Sequence, residues 1–511
     1  MDILVVTAEI APYSRATSAG ETAAALPKAL RGLGHKVTVL SPLWASIDPA
    51  SKHLARRLVK IEVELEGQKR ALPLFEGRSS GGVDLAFLAE ETLFPRNASA
   101  TDTGPETAAR WGAFARATIE LMKRRDALPE VVHCIGWQTA ILPVLMREDP
   151  ALAAIPTVLT VHDLGAHGRY DRAQLATFGV PEKWWRIDGV EFYGKLSPLK
   201  AGIQTASRIT TPSPTSAREA TESAGGLEGA LSARGKALAG ILEGVDVSVW
   251  NAATDPWLEA RFDAMDVAGS PTEKGKSAYG KQRCKSAMQK ELGLPVRGDV
   301  ALVSAIGVAT AGSGFDVLAD VGTKLLRNDV QIVVVTEPGS DPAIVSRFVA
   351  LAQRWSDRIA VRHDADQGMV HRALGASDLV IVPSPSAGPN AAAPTESMGG
   401  ARAMHAHRYG ALPIARRTGG VADAVVDCDP RLSSGSGFLW DEDSGDAMLA
   451  AIQRGIAAFT QPATFRALQH RVMTIDHSWD RSARLYERLY RSARGQGTRE
   501  EPGSTASEAR T

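Results

Sequence analysis

Short apolar runs alternate with segments of helical period through the first half of the chain, at residues 3–8, 36–40, 131–134, 157–161 and 208–211. Runs that are apolar throughout, rather than at every second position, predict strands buried on both faces, with the helical segments between them as crossovers. The same alternation restarts at 300–306 and continues at 330–336, 359–362, 379–382 and 412–415. Two α/β domains in tandem are therefore expected, each a doubly wound parallel sheet with covering helices. The join falls near 244–250, ahead of a charged stretch bearing Gly and Ser at 266–280. Another irregular segment, 383–395, is rich in Pro, Ser, Ala and Gly and directly follows an expected strand, where open α/β sheets place their ligands.

Length and composition agree with two cores. A chain of 511 residues exceeds what one hydrophobic core serves, and 44% hydrophobic residues suffice for both. Charge then narrows the partners: 58 basic and 58 acidic residues cancel, so the net attraction that nucleic-acid or anionic-membrane binding needs is missing. Neither partner is expected, and a neutral small molecule or glycan fits better. Three scattered cysteines, Cys134, Cys284 and Cys428, make neither a disulfide framework nor a zinc cluster. The opening residues lack a basic signal-peptide start, and no apolar stretch would span a bilayer, so a cytoplasmic location is expected. No Gly-x-Gly-x-x-Gly follows either first strand, which disfavours nicotinamide or flavin chemistry.

Several ordered motifs carry a resemblance. They are Ala-Glu-Ile-Ala-Pro at 8–12, Ala-Leu-Pro-Lys-Ala-Leu at 25–30, Asp-Gly-Val-Glu-Phe-Tyr-Gly-Lys at 188–195 and Leu-Lys-Ala-Gly-Ile at 199–203. Gly-Ile-Leu-Glu-Gly-Val-Asp at 240–246, Arg-Arg-Thr-Gly-Gly-Val-Ala-Asp at 416–423 and Trp-Asp-Arg-Ser-Ala at 479–483 follow in order. Over about residues 1–492 the chain resembles bacterial glycogen synthases and plant starch synthases. The resemblance implies the glycosyltransferase B fold, two Rossmann-like domains with a cleft between them. It also implies retaining transfer of glucose from ADP-glucose to an α-1,4-glucan or maltooligosaccharide, without metal or cofactor. The expected division is 1–245 for the acceptor-side domain, 246–478 for the nucleotide-sugar domain and 479–494 for a helix packing back on the first. Residues 495–511, almost devoid of apolar side chains, are expected to be a disordered tail.

Such transfer leaves negative charge on a departing diphosphate, which protein groups must stabilise when no metal does. The resemblance assigns donor contacts to Thr418, Gly419 and Gly420, whose small residues let backbone N–H groups approach a phosphate. Gapless alignment places Arg15 at the family's first-loop lysine, but Thr17 and Ser18 replace its two glycines, and β-branched Thr17 tolerates positive φ poorly. Val308 and Ser313 stand where an arginine and a lysine are expected, and 307–314 contains no basic residue. Losing two charged hydrogen bonds would weaken diphosphate stabilisation by roughly two to four powers of ten.

His162 matches the histidine facing the donor sugar, and Glu396 is the candidate for the donor-site glutamate, although nine residues further from the 383–384 pair than the family spacing. His133 and Trp137 match glucan-positioning residues, whereas Gly136 replaces an aspartate that would bond sugar hydroxyls. Three readings stay open: an active glucosyltransferase, a catalytically silent glucan-binding or regulatory paralogue, and a transferase with a changed donor. The oligomeric state is not specified by the sequence.

Overall fold

The structure is a computed structural model that describes residues 1–65, 67–165, 167–268, 280–383 and 400–495. Glu396 and the expected tail from residue 496 onward lie outside the described residues.

The first sheet has nine strands. From one edge they are Leu238–Gly240, Arg208–Thr211, Thr157–Thr160, Val131–Ile135, Asp2–Thr7, Lys36–Leu43, Asp84–Ala89, Gln68–Arg78 and Ala55–Leu65. Pairing is parallel as far as Asp84–Ala89 and antiparallel for the last two strands. The strands that begin at Asp2 and Val131 are almost wholly buried because helices cover both faces. The outer pair alternates instead: in Ala55–Leu65 only Ile61, Val63 and Leu65 face inward. Arg56, Arg57 and Lys60 stand on this edge, where charge opposes further strand pairing.

The second sheet is entirely parallel, in the order Ile359–Arg362, Val330–Thr336, Ala301–Gly307, Leu379–Val382, Leu412–Arg416, Phe438–Trp440. Its strands feed two cores. Val333 and Val335 point into one with Trp250 and Tyr409, while Ile332 and Val334 point into the other with Phe315 and Phe348. This is the two-sided burial that uninterrupted apolar runs require.

The chain crosses between the sheets twice, and the crossings touch. Val245 N–H donates to the His477 carbonyl at 2.7 Å, and a Cβ on Gly244 would come within 2.7 Å of the Trp479 nitrogen. Beyond the second crossing, the helix Asp480–Ala493 lies on the first sheet, with Trp479, Ala483, Tyr486 and Tyr490 in that sheet's core.

Candidate functional site

Four features converge at the C-terminal ends of the strands: the loop 8–17, the segment 161–163, the turn after Ala301–Gly307, and the start of the helix Ala401–Arg408. The loop is fixed by Glu9, whose buried carboxylate accepts hydrogen bonds from the Ala16 N–H and the Thr17 hydroxyl. Burial raises the Glu9 carboxyl to about 7, against the opposing pull of those hydrogen bonds. Thr17 then caps the helix Ser18–Gly32, its oxygen accepting from Ala19 N–H at 3.2 Å with φ −143°. This corrects the expectation from sequence. Thr17 is extended and needs no positive φ, so its β-branch is no obstacle to this loop.

Arg15 leaves the loop toward the opposite domain, where its Nη1 donates to the Gln367 side-chain oxygen. It lines a cleft of about 650 Å³ together with Thr17, Ser18, Val308, Glu337 and Arg402. A second chamber of about 380 Å³ shares Arg15, Ser18, Glu21, Trp250 and Ala401 with it. Trp250 forms a wall between these spaces, stacked between His371 at 4.1 Å and His405 at 3.8 Å. Asp255 holds His371 by its Nδ1 at 2.6 Å, which fixes the stack at the domain crossing.

His162 follows the strand Thr157–Thr160 and borders a small cavity of about 60 Å³ with Glu9, Gly136, Trp137, Gln138 and Asp163. Its Nε2 is 2.8 Å from Glu243 Oε1 and 3.3 Å from Thr22 Oγ1, so the ring is held from one side. Thr17 and Thr101 border both this cavity and the large cleft. His162, Trp137, Gly136, Arg15, Thr17, Ser18 and Val308 are thus brought together.

Other expected residues are not. His133 is fully buried, with Nδ1 2.8 Å from the Tyr490 hydroxyl and Nε2 2.6 Å from Thr160 Oγ1. Burial pushes its ring down to about 3, so it stays neutral in the core rather than positioning sugar. Ser313 is buried too, its hydroxyl oxygen accepting from the Thr310 N–H at 3.1 Å within the turn. Thr418 and Gly419 face a carboxylate rather than open space: both donate to Glu219 of the first domain at 3.0 Å. Gly420 packs against Gly400 so closely that a Cβ on Gly400 would meet its backbone at 2.7 Å.

Gly136 is explained by its backbone. At φ 83° and ψ 164° it occupies a region essentially restricted to glycine, so an aspartate would be strained here. Glu9, Glu243, Arg402 and His405 were not singled out by sequence reasoning. An acid directly after a buried strand was a usable signal for Glu9. Arg402, one residue past a helix-opening Gly400–Ala401, gave none without the fold.

Comparisons with known proteins decide the family. The glycogen synthase of Anaeromyxobacter sp. (strain Fw109-5) is 36% identical over 502 residues, covering 96% of this chain and 99% of that protein. The chain belongs to the glycogen and starch synthase family. The glycogen synthase of Geotalea uraniireducens (strain Rf4) is 31% identical over the same coverage. The family model for the starch synthase catalytic domain matches residues 2–233. Among solved structures, the catalytic domain of starch synthase IV from Arabidopsis thaliana, bound to ADP and acarbose, is 27% identical. It covers 96% of this chain and 99% of its own, with TM-score 0.84. Sucrose-phosphate synthase from Thermosynechococcus elongatus, 16% identical with TM-score 0.58, covers 97% of this chain and all of its own and shares the fold. The two sheets are thus the two Rossmann-like domains of the glycosyltransferase B fold. Among the described residues, no helix is long and apolar enough to cross a membrane, and no group of three or more His, Cys, Asp or Glu could hold a metal ion.

Proposed function

We propose that this chain transfers glucose from ADP-glucose to the non-reducing end of an α-1,4-glucan with retention. The observation that carries the reading is full-length similarity to glycogen synthases together with a cleft that joins the His162 cavity to Arg15 and Gln367 across the two domains. The donor glucose is assigned to the cleft beside the small His162 cavity, whose border includes the polar residues Glu9, Gln138 and Asp163. A carboxyl near 7 lets Glu9 donate as well as accept near neutral pH. The nucleotide diphosphate fits the Arg15 side. Glucan recognition relies on aromatic faces and distributed hydrogen bonds, so it is expected to tolerate lost charge better than donor binding does.

A second reading, a silent glucan-binding paralogue, is favoured by one observation: Val308 borders the cleft where the resemblance expects a cation, and Ser313 is folded away from it. The test is transfer itself. Purified protein, ADP-glucose and maltoheptaose are expected to yield ADP and longer α-linked chains. Absence of transfer from both ADP-glucose and UDP-glucose, with glucan binding intact by calorimetry, would establish the silent reading. Transfer from UDP-glucose alone would establish a changed donor.

A further inference from the structure

A cleft that takes a sugar nucleotide must stabilise a diphosphate, and Val308 brings no charge to it. Among the described residues bordering it, positive charge comes from Arg15 in the first domain and Arg402 in the second. Arg402 lies in the first turn of Ala401–Arg408, a helix that opens after Gly400 at φ 68°. That position is unfavourable to a guanidinium for two reasons. The helix presents its positive dipole end there, and the side chain is only 7% exposed.

What offsets this cost is Glu337, which follows the strand Val330–Thr336 and accepts from Arg402 Nη2 at 2.8 Å. Three residues beyond Arg402, on the same helix face, His405 borders the cleft as well. Its side chain is 5% exposed, and among the described residues its Nδ1 has no hydrogen-bond partner. Burial, reinforced by the Arg402 charge, holds the ring well below the ordinary histidine range, so the imidazole beside Arg402 stays neutral and adds no positive charge to the cleft.

We propose that Arg402 and Arg15 are the anion clamp of this cleft, in place of cations at positions 308 and 313, with Glu337 holding the place that a nucleoside diphosphate takes. The proposal rests on the reading of the chain as a sugar-nucleotide transferase. In the structure each arginine already faces a carboxylate: Arg402 faces Glu337, and Arg15 Nε is 3.8 Å from Glu21 Oε1. Binding is then an exchange of anions rather than the filling of a bare positive site. Exchange favours a ligand that engages both guanidinium groups at once, because one phosphate can offset the loss of one carboxylate only. A diphosphate spans two centres, and a monophosphate does not. The site therefore selects nucleoside diphosphates over monophosphates.

The test is calorimetry on the full chain with ADP, AMP and maltoheptaose, for the wild type, Arg402→Ala, Arg402→Lys and Glu337→Gln. Arg402→Ala is expected to weaken ADP by about tenfold or more while changing AMP by less than about threefold. Arg402→Lys keeps part of the loss, having charge without the two-pronged geometry. Glu337→Gln strengthens ADP several-fold because the competing anion is gone. Unchanged ADP affinity in Arg402→Ala overturns the clamp and leaves the transferase reading intact. If Arg402→Ala does not fold, Glu337→Gln decides alone, and no gain in ADP affinity overturns the proposal. A wild type that binds maltoheptaose but no ADP defeats the transferase reading, and the clamp with it.

Discussion

Glu219 and Gly419 meet across the domain boundary, with the Gly419 N–H donating to Glu219 Oε2 at 3.0 Å. The arrangement is reciprocal. Asp423, four residues after Gly419, accepts from Thr215 N–H at 2.8 Å and from its hydroxyl at 3.0 Å, so the helices Pro214–Glu222 and Gly419–Ala424 cap each other. Glu219 thereby occupies the backbone donor that the resemblance assigns to a phosphate. Glu219→Gln is expected to cost about 1 kcal/mol of stability and to raise ADP affinity several-fold by weakening this competitor. Denaturant titration and calorimetry measure the two effects. A variant with wild-type stability and unchanged ADP affinity would remove the contact from both roles.

Tyr490→Phe should separate scaffolding from chemistry. It removes the hydroxyl that meets His133 Nδ1 and leaves a buried ring nitrogen unsatisfied. A loss of about 1–3 kcal/mol in urea unfolding is expected, with maltoheptaose affinity unchanged. A large drop in glucan affinity at full stability would instead return His133 to the sugar site.

Acid should destabilise the fold before the carboxylates titrate. Burial pushes His133 and His407 down to about 3 and His167 and His477 down to about 4. Unfolded histidines bind protons near about 6.5, so the unfolded state gains protons first and stability is lost as pH falls below that value. Glu9 acts in the opposite sense. Its carboxyl is raised from 4.5 to about 7, so its contribution is lost as pH rises through that window. Glu9→Gln is therefore expected to gain on the wild type between pH 5 and pH 8, by on the order of 1–3 kcal/mol. Unfolding curves at both pH values check it, and a gain at pH 5 instead would contradict the assignment.

The two missing cations inferred from sequence should respond differently to repair. Val308 borders the open cleft, and Val308→Arg is expected to raise ADP affinity by about tenfold. Ser313 is 1% exposed, and Ser313→Lys would force a charge into a closed turn at a cost of about 1–3 kcal/mol. Calorimetry paired with thermal unfolding distinguishes these outcomes. Equal gains in affinity from both substitutions would mean that the turn opens readily.

Gly136→Asp introduces the aspartate that the resemblance implies at this position into a backbone that does not accept it. A loss of about 1–3 kcal/mol without any gain in glucan affinity is expected from thermal unfolding and calorimetry. Improved glucan binding would show that the strand end can rearrange.

Most parallel strands of the two sheets could be read from apolar runs because strands covered on two faces show their burial in nearly every residue, although Asp84–Ala89 and the three-residue Leu238–Gly240 were not among the expected runs. The pair Ala55–Leu65 and Gln68–Arg78 escaped notice because charges such as Lys60, Glu62 and Glu64 break the runs wherever a face meets solvent. Phe438–Trp440 was too short to register. At the site, motif positions located the right loops, but contact depends on which way a side chain turns. Thr17 turns to Glu9 and caps a helix, Ser313 turns into its own loop, and His133 turns toward Tyr490. Arg402 and Glu337 are 65 residues apart in sequence, and only the second sheet's topology brings them together.

The packing of Tyr486 and Tyr490 into the first sheet's core also bears on how the molecule is made. The amino-terminal half is synthesised first, yet its hydrophobic interior stays incomplete until the helix Asp480–Ala493 has emerged and docked. During translation, His133 Nδ1 therefore waits for a partner, the Tyr490 hydroxyl, encoded beyond the entire second domain. No single cut in the polypeptide would release this half as a finished unit, and a gene fragment ending at the first crossing would yield a chain with an open apolar flank.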